Sequence, residues 1–138
     1  MSLIHRTRIV IAVAAFSLMF AGASLAEDDP RAVIGAQIEA FLADDFDTAF
    51  DFASPGIRRM FRTPENFGAM VRQGYPMVWR PAEVRYGASE TRGAAVLQRV
   101  IVTDEGGRVH VLEYRMEPAG ETWKIAGVRI LEAAGVGA

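Results

Sequence analysis

Few side chains of this chain could do covalent or metal chemistry. The 138 residues contain two histidines and no cysteine. Thiolate nucleophiles and thiolate metal ligands are therefore excluded, because both need a cysteine sulfur. His110 is the single histidine beyond the N-terminal segment, and it has no second imidazole with which to form a zinc site. We predict no metal, no cofactor and no catalytic residue.

Four carboxylates lie close together in the sequence, at Asp44, Asp45, Asp47 and Asp51. A calcium loop needs oxygen ligands at fixed intervals, with a glycine and a glutamate at defined positions. Here Ala49, Phe50 and Gly56 take the positions of a ligand, that glycine and that glutamate. The pattern therefore favours a solvated acidic surface.

One type of proton transfer at a carbon atom uses a carboxylate base in an apolar pocket, opposite a tyrosine or a protonated acid. Along residues 108–117 apolar and polar side chains alternate, which predicts a strand with two distinct faces. Tyr114 lies on one face, and Glu113 and Glu117 lie on the other. This strand therefore does not place a carboxylate and a tyrosine in the same pocket.

Aromatic, methionine and arginine side chains remain as candidates for a ligand pocket between helices and sheet. They are Met70, Tyr75, Trp79, Arg80, Arg99, His110, Tyr114 and Trp123. Arg80 or Arg99 would meet an anionic head group. The alternative is that these side chains fill the core or lie at its rim.

The N-terminal segment has the order of a secretory signal peptide. Two arginines, Arg6 and Arg8, precede an apolar run over residues 9–20, and Ser24-Leu25-Ala26 supplies small residues for cleavage. A membrane anchor is the alternative, but a spanning helix needs about 20 apolar residues. We predict cleavage after Ala26, a periplasmic or secreted protein, and no membrane contact after cleavage.

The chain is mildly acidic, with a formal net charge of −2. A protein that binds nucleic acid needs a basic face, so we predict no nucleic-acid partner. Residues 27–57 hold eight acids against Arg31, whereas residues 58–85 hold six arginines against two glutamates. These two segments either pair with each other at the surface or leave an anion-binding patch.

The remaining residues, 27–138, have the length of one domain. Asp29-Pro30, Ser54-Pro55 and Thr63-Pro64 each combine an N-cap residue with a proline in the first turn, which predicts helix starts. Strands are predicted over residues 82–87, 94–103, 108–117 and 122–131, with a bulge near Gly127. This order predicts an α+β fold, with N-terminal helices packed on one face of a curved, cone-like antiparallel sheet of three to four strands.

Three segments carry a family resemblance. ASPGIRRMF (53–61), GYPMVWRP (74–81) and WKIAGVRIL (123–131), behind a signal peptide, resemble the bacterial exported DUF4864 family. The element order and the closing strand also resemble the nuclear-transport-factor-two-like (ketosteroid-isomerase-like) superfold. That superfold hosts isomerases, dehydratases, scaffolds and binding domains, so the resemblance implies no catalytic residues.

Three functions follow as hypotheses. The first is non-catalytic binding of a small apolar or amphipathic molecule, or of a partner protein; an anionic ligand is included. The second is a small isomerase or lyase, which needs two opposed titratable groups in the pocket. The third is a structural subunit that forms a homodimer through an apolar outer sheet face.

Overall fold

The computed structural model describes residues 29–132, and the predicted signal peptide lies outside the described residues. Five helices come first: α1 (Pro30–Leu42), α2 (Phe46–Asp51), α3 (Pro55–Phe61), α4 (Pro64–Gly74) and α5 (Pro76–Trp79). Four strands follow: β1 (Pro81–Arg92), β2 (Ala95–Asp104), β3 (Val109–Ala119) and β4 (Thr122–Glu132). Among the helices of the described residues, none is long and apolar enough to cross a membrane.

The helix starts lie where the capping residues predict them. The side chains of Asp29, Ser54 and Thr63 each accept a hydrogen bond from a backbone N–H in the first turn of α1, α3 and α4. Asp45 caps α2 through the N–H of Thr48, 3.2 Å away. Each cap satisfies a donor that the helix itself leaves free.

The strands form one antiparallel sheet in the order β1-β2-β3-β4, each strand paired with the next along the chain. Short turns join them, and Gly93, Gly107 and Gly120 in these turns have positive φ. The α+β class with helices on one face of an antiparallel sheet is confirmed.

β1 is longer than predicted, because it continues past Gly87 to Arg92. The register against β2 shifts between Tyr86 and Ser89, so the chain bulges at Gly87 and then resumes pairing. A Cβ at Gly87 would lie 3.2 Å from the Cβ of Arg99. The glycine therefore permits close approach inside a strand rather than ending it.

A second irregularity lies in β4, where the sequence predicts one. Arg115 pairs with Gly127, but the next residue of β3, Met116, pairs with Ile125. Ala126 is thus the extra residue of a bulge, one position from Gly127.

The core lies between the helices and the inner sheet face. On β3 the predicted alternation holds, since His110, Leu112, Tyr114 and Met116 are all buried on this face. Phe67 of α4 is the centre of an aromatic cluster, with its ring centroid 5.4 to 5.9 Å from three other rings, those of Phe41, Phe50 and Phe61.

The link between α2 and α3 attaches the helices to the sheet. Ile125 donates its N–H to the carbonyl of Phe52, 2.9 Å away, and accepts the N–H of Ser54 at 2.8 Å. Ala53, between them, forms a parallel bridge with Ile125. These bonds place α3 beside β4 and over the inner face of the sheet.

Candidate functional site

A cavity of about 220 Å³, which we call the central cavity, lies between the helices and the sheet. Its wall is formed by residues of every helix except α2, of the α2–α3 link and of β3 and β4: Gln37, Phe41, Ala53, Ile57, Met60, Phe61, Phe67, Met70, Val71, Tyr75, Val78, Tyr114, Ile125, Gly127 and Val128. Most of these side chains are apolar. An apolar wall of this kind favours an apolar occupant over water.

Helix α3 forms the outer wall of the central cavity. It has no buried residue, although Ile57, Met60 and Phe61 all border the cavity. The side chain of Met60 is 69% exposed, so it lies at the mouth. An occupant of the cavity would cover part of this apolar surface.

Three polar side chains border the central cavity. Tyr75 donates its hydroxyl hydrogen to the carbonyl of Val128, 3.0 Å away. Tyr114 is fully buried, and its hydroxyl has no hydrogen-bond partner among the described residues. Burial raises the pKa of Tyr114, because the charged phenolate would be desolvated there.

The third polar side chain, Gln37 of α1, is only 3% exposed. Its amide nitrogen donates to the carbonyl of Ala49 in α2, 3.1 Å away. Gln37 is not among the pocket residues that the sequence predicted. The signal was present, because Gln37 lies within the helical stripe formed by Ile34, Ile38 and Phe41.

The eight candidate pocket residues do not form one site. Met70, Tyr75 and Tyr114 come together at the central cavity. Trp79, Arg80 and His110 border a separate surface groove beside the β2–β3 turn. The two sets are separated because His110 lies at the start of β3, two positions before Leu112 and four before Tyr114.

The guanidinium of Arg80 bonds to other groups of the protein and is not free to bind an anionic ligand. Its guanidinium donates to both carboxylate oxygens of Asp44, at 2.8 and 2.9 Å, and to the carbonyl of Phe41 at 2.8 Å. It also lies 4.2 Å from the ring centroid of Trp79, whose indole N–H donates to Asp44. Arg80 therefore joins the end of α1 to α5.

His110 forms a pair with Asp104, at 2.9 Å from its Nε2 to a carboxylate oxygen. The same carboxyl accepts backbone N–H bonds from Gly106 and Arg108 in the turn. The His110 bond, and then the backbone bonds, lower the pKa of Asp104. This pair orders the β2–β3 turn.

Arg99 and Trp123 also lie outside the central cavity. Arg99 is exposed on the outer face of β2, opposite Glu113 of β3, because its neighbours Gln98 and Val100 take the inward positions. Trp123 is half-buried near the start of β4, where it borders a groove beside the first residues of α1. Neither residue could meet a head group in the cavity.

Three of the four carboxylates in the acidic segment contact other groups of the protein. Asp44 pairs with Arg80, Asp45 caps α2, and Asp51 lies 3.9 Å from Arg58. Within residues 29–132 no three histidine or carboxylate side chains are grouped so as to hold a metal ion.

Comparison with known proteins gives a family and a fold. The chain matches the family described as Domain of unknown function (DUF4864) over residues 24–138. No curated protein matches it significantly. The solved structure of a SEC-C motif containing protein from Rhodopseudomonas palustris is similar, with a TM-score of 0.58 at 19% identity over 80% of this chain and 83% of that chain. An NTF-2 like protein of unknown function from Burkholderia xenovorans LB400 aligns with a TM-score of 0.45 at 18% identity, over 76% of this chain and 87% of that chain.

Proposed function

The chain belongs to the DUF4864 family, as its sequence predicted, and we propose that it is an exported, non-catalytic domain that binds a small neutral molecule in the central cavity. The observation that carries this proposal is the wall of the cavity. It combines apolar side chains with three uncharged polar ones, Gln37, Tyr75 and Tyr114.

The volume of the cavity sets the size of the ligand. An engineered apolar cavity of about 150 Å³ takes up one benzene molecule. A cavity of about 220 Å³, open at Met60, therefore suits a molecule of about two fused rings. Such a ligand would gain about 25 cal/mol for each Å² of apolar surface that leaves water.

The same wall argues against the isomerase or lyase hypothesis. Proton abstraction needs a base whose pKa lies near the working pH. Among residues 29–132, none of those that border the cavity is a carboxylate, histidine, lysine or arginine. Tyr114 is a poor base, because burial raises its pKa and keeps the hydroxyl protonated.

Binding of an anionic ligand through Arg80 or Arg99, which the sequence left open, has less support. Arg80 is already bound to Asp44, and Arg99 lies on the outer face of the sheet. A carboxylate or phosphate that entered the central cavity would lose its hydration, and no cation among the described residues of the wall would replace it. A neutral ligand has no such cost.

The outer sheet face gives the homodimer hypothesis mixed support. Val109 and Leu131 are each 37% exposed. However, Glu113 and Arg129 form a 2.8 Å ion pair on this face, and Arg99 is exposed there too. A small-molecule site remains the better-supported function.

The test uses 2-methylnaphthalene as a neutral two-ring probe and the purified protein. Titration followed by amide NMR should give saturable shifts at Met70, Val71 and Val128. The variant Val128→Phe places a ring into the cavity and should weaken binding at least tenfold. Val109→Phe adds the same ring on the outer face, where it should leave the affinity unchanged.

Both variants must first give the dispersed spectrum of a folded protein. The proposal is rejected if the probe gives no saturable shifts in the wild type. It is also rejected if Val128→Phe binds as tightly as Val109→Phe.

A further inference from the structure

We infer that the side-chain oxygen of Gln37 recognises the ligand, and that the ligand is a neutral, mostly apolar molecule with one hydroxyl or N–H donor. This inference rests on the proposed function and assigns the ligand class. Its basis is the placement of one amide group in the wall of the central cavity.

The orientation of the Gln37 amide is fixed by its partner. Its nitrogen donates to the carbonyl of Ala49, 3.1 Å away, and both residues are buried. The reversed amide would bring two acceptor oxygens together and break this bond. Oε1 therefore points away from Ala49.

That oxygen accepts no hydrogen bond from the described residues, since the bond to Ala49 is the single one that the Gln37 side chain makes there. This oxygen also keeps some accessible surface, whereas we call a polar atom sealed when it has almost none. The sealed side-chain polar atoms without a partner, among residues 29–132, are His110 Nδ1 and Tyr114 Oη. Because Gln37 borders the central cavity and its amide nitrogen faces Ala49, Oε1 is the amide atom that is free to face the cavity.

The other described polar side chains of the wall offer no free donor hydrogen to a ligand. The hydroxyl hydrogen of Tyr75 is used by Val128, which leaves its oxygen able only to accept. The hydroxyl of Tyr114 is sealed behind the wall. Among the described residues, the side chains of the wall thus offer acceptors, and the remaining side-chain donor is the second amide hydrogen of Gln37, on the nitrogen that bonds to Ala49.

A hydrogen-bond acceptor in an apolar cavity favours ligands that carry a hydrogen-bond donor. A ligand hydroxyl or N–H would bond to Gln37 Oε1 while its rings contact the apolar wall. A ketone or an ether would gain no such bond, and a carboxylate would face oxygens without a cation. Phenols, alcohols and indole-like heterocycles have the required chemistry.

The experiment compares two probes of nearly equal shape, 2-naphthol and 2-methylnaphthalene, on the wild type and on Gln37→Met. A single neutral hydrogen bond contributes about three- to tenfold in affinity. Gln37→Met should therefore weaken binding of 2-naphthol about three- to tenfold relative to 2-methylnaphthalene. Gln98→Met is the matched control, because Gln98 is equally buried, donates to backbone carbonyls, and borders a different groove. It should leave the ratio of the two affinities unchanged.

A second measurement needs no variant. In the wild type, the side-chain amide resonances of Gln37 should shift on saturation with 2-naphthol and stay nearly unchanged with 2-methylnaphthalene.

Four results would overturn the inference. If Gln37→Met weakens both probes equally, or the two probes shift the Gln37 amide equally, Gln37 only shapes the cavity and the proposed function still holds. If 2-methylnaphthalene binds but 2-naphthol does not, the cavity selects against donors. If neither probe binds the wild type, the proposed function fails as well.

Discussion

Replacement of Phe67 by alanine should destabilise the domain by about 3–5 kcal/mol. The ring of Phe67 is buried, at 5% exposure, in the middle of the helical layer. Its centroid lies 5.4 Å from that of Phe50 and 5.9 Å from those of Phe41 and Phe61. No other ring in this cluster of α1, α2, α3 and α4 contacts as many aromatic partners.

The magnitude follows from three contributions. Burial of a phenylalanine side chain stabilises the fold by about 1.5–3 kcal/mol. Each aromatic pair adds about 0.5–1.5 kcal/mol beyond its area, although three pairs that share one ring do not add fully. Phe67 also borders the central cavity, so truncation joins a new void to an existing one, and the neighbouring side chains have little to collapse onto. The expected loss is a large share of the about 5–15 kcal/mol that a domain possesses.

Urea unfolding measures this loss. With a slope of about 2 kcal/mol per molar, a loss of about 4 kcal/mol lowers the midpoint by roughly 2 M. Phe61→Ala is the control. Phe61 is only half-buried, so its replacement should lower the free energy of unfolding by about 1–2 kcal/mol. A loss of stability in Phe67→Ala that is no greater than in Phe61→Ala, or that is under about 1 kcal/mol, would refute this central packing role of Phe67.

Two further predictions concern pH and export. The bond from His110 lowers the pKa of the Asp104 carboxyl below its usual value. A carboxyl whose pKa is lower in the folded state stabilises the fold above its unfolded pKa and loses this effect as the pH falls through its folded pKa. Below about pH 4, the melting temperature of the wild type should therefore fall more steeply than that of Asp104→Asn, and equal slopes would contradict this role. For export, mass spectrometry of protein from the extracytoplasmic fraction should give Glu27 as the N-terminal residue; an intact Met1 in the membrane fraction would refute cleavage.

Local signals in the sequence were sufficient for the element order. Ser54-Pro55 and Thr63-Pro64 each contain the whole information for a helix start, since the cap bonds reach only three residues along the chain. The alternation on β3 likewise placed Tyr114 inward. By contrast, the extension of β1 past Gly87 depends on its pairing with β2, in which Ser89 lies opposite Gln98 and Arg92 opposite Ala95. This pairing is a contact between two elements, and the alternation within one strand does not contain it.

The site was less predictable for the same reason. Arg80 has the chemistry of an anion ligand, but its actual partner, Asp44, is 36 residues away. The amide of Gln37 is fixed by a carbonyl in the next helix. Which inward side chains share one cavity depends on how α3 is attached to β4, and no spacing within a single element contains that information.

The bond pair between Ile125 and the α2–α3 link has a consequence for the edges of the sheet. A four-stranded open sheet has two edges, and a free edge is a template for pairing with another chain. On β4 the outward N–H and C=O of Ile125 are taken by Phe52 and Ser54, and the bulge at Ala126 breaks the straight ladder beyond them. On β1 the edge begins with Pro81, which has no N–H to offer, and charged side chains follow along the strand. The β4 edge is thus protected by hydrogen bonds to another segment of the same chain, and the β1 edge by a proline and charged side chains. Both devices limit edge-to-edge aggregation of a domain that has no disulfide to stabilise it.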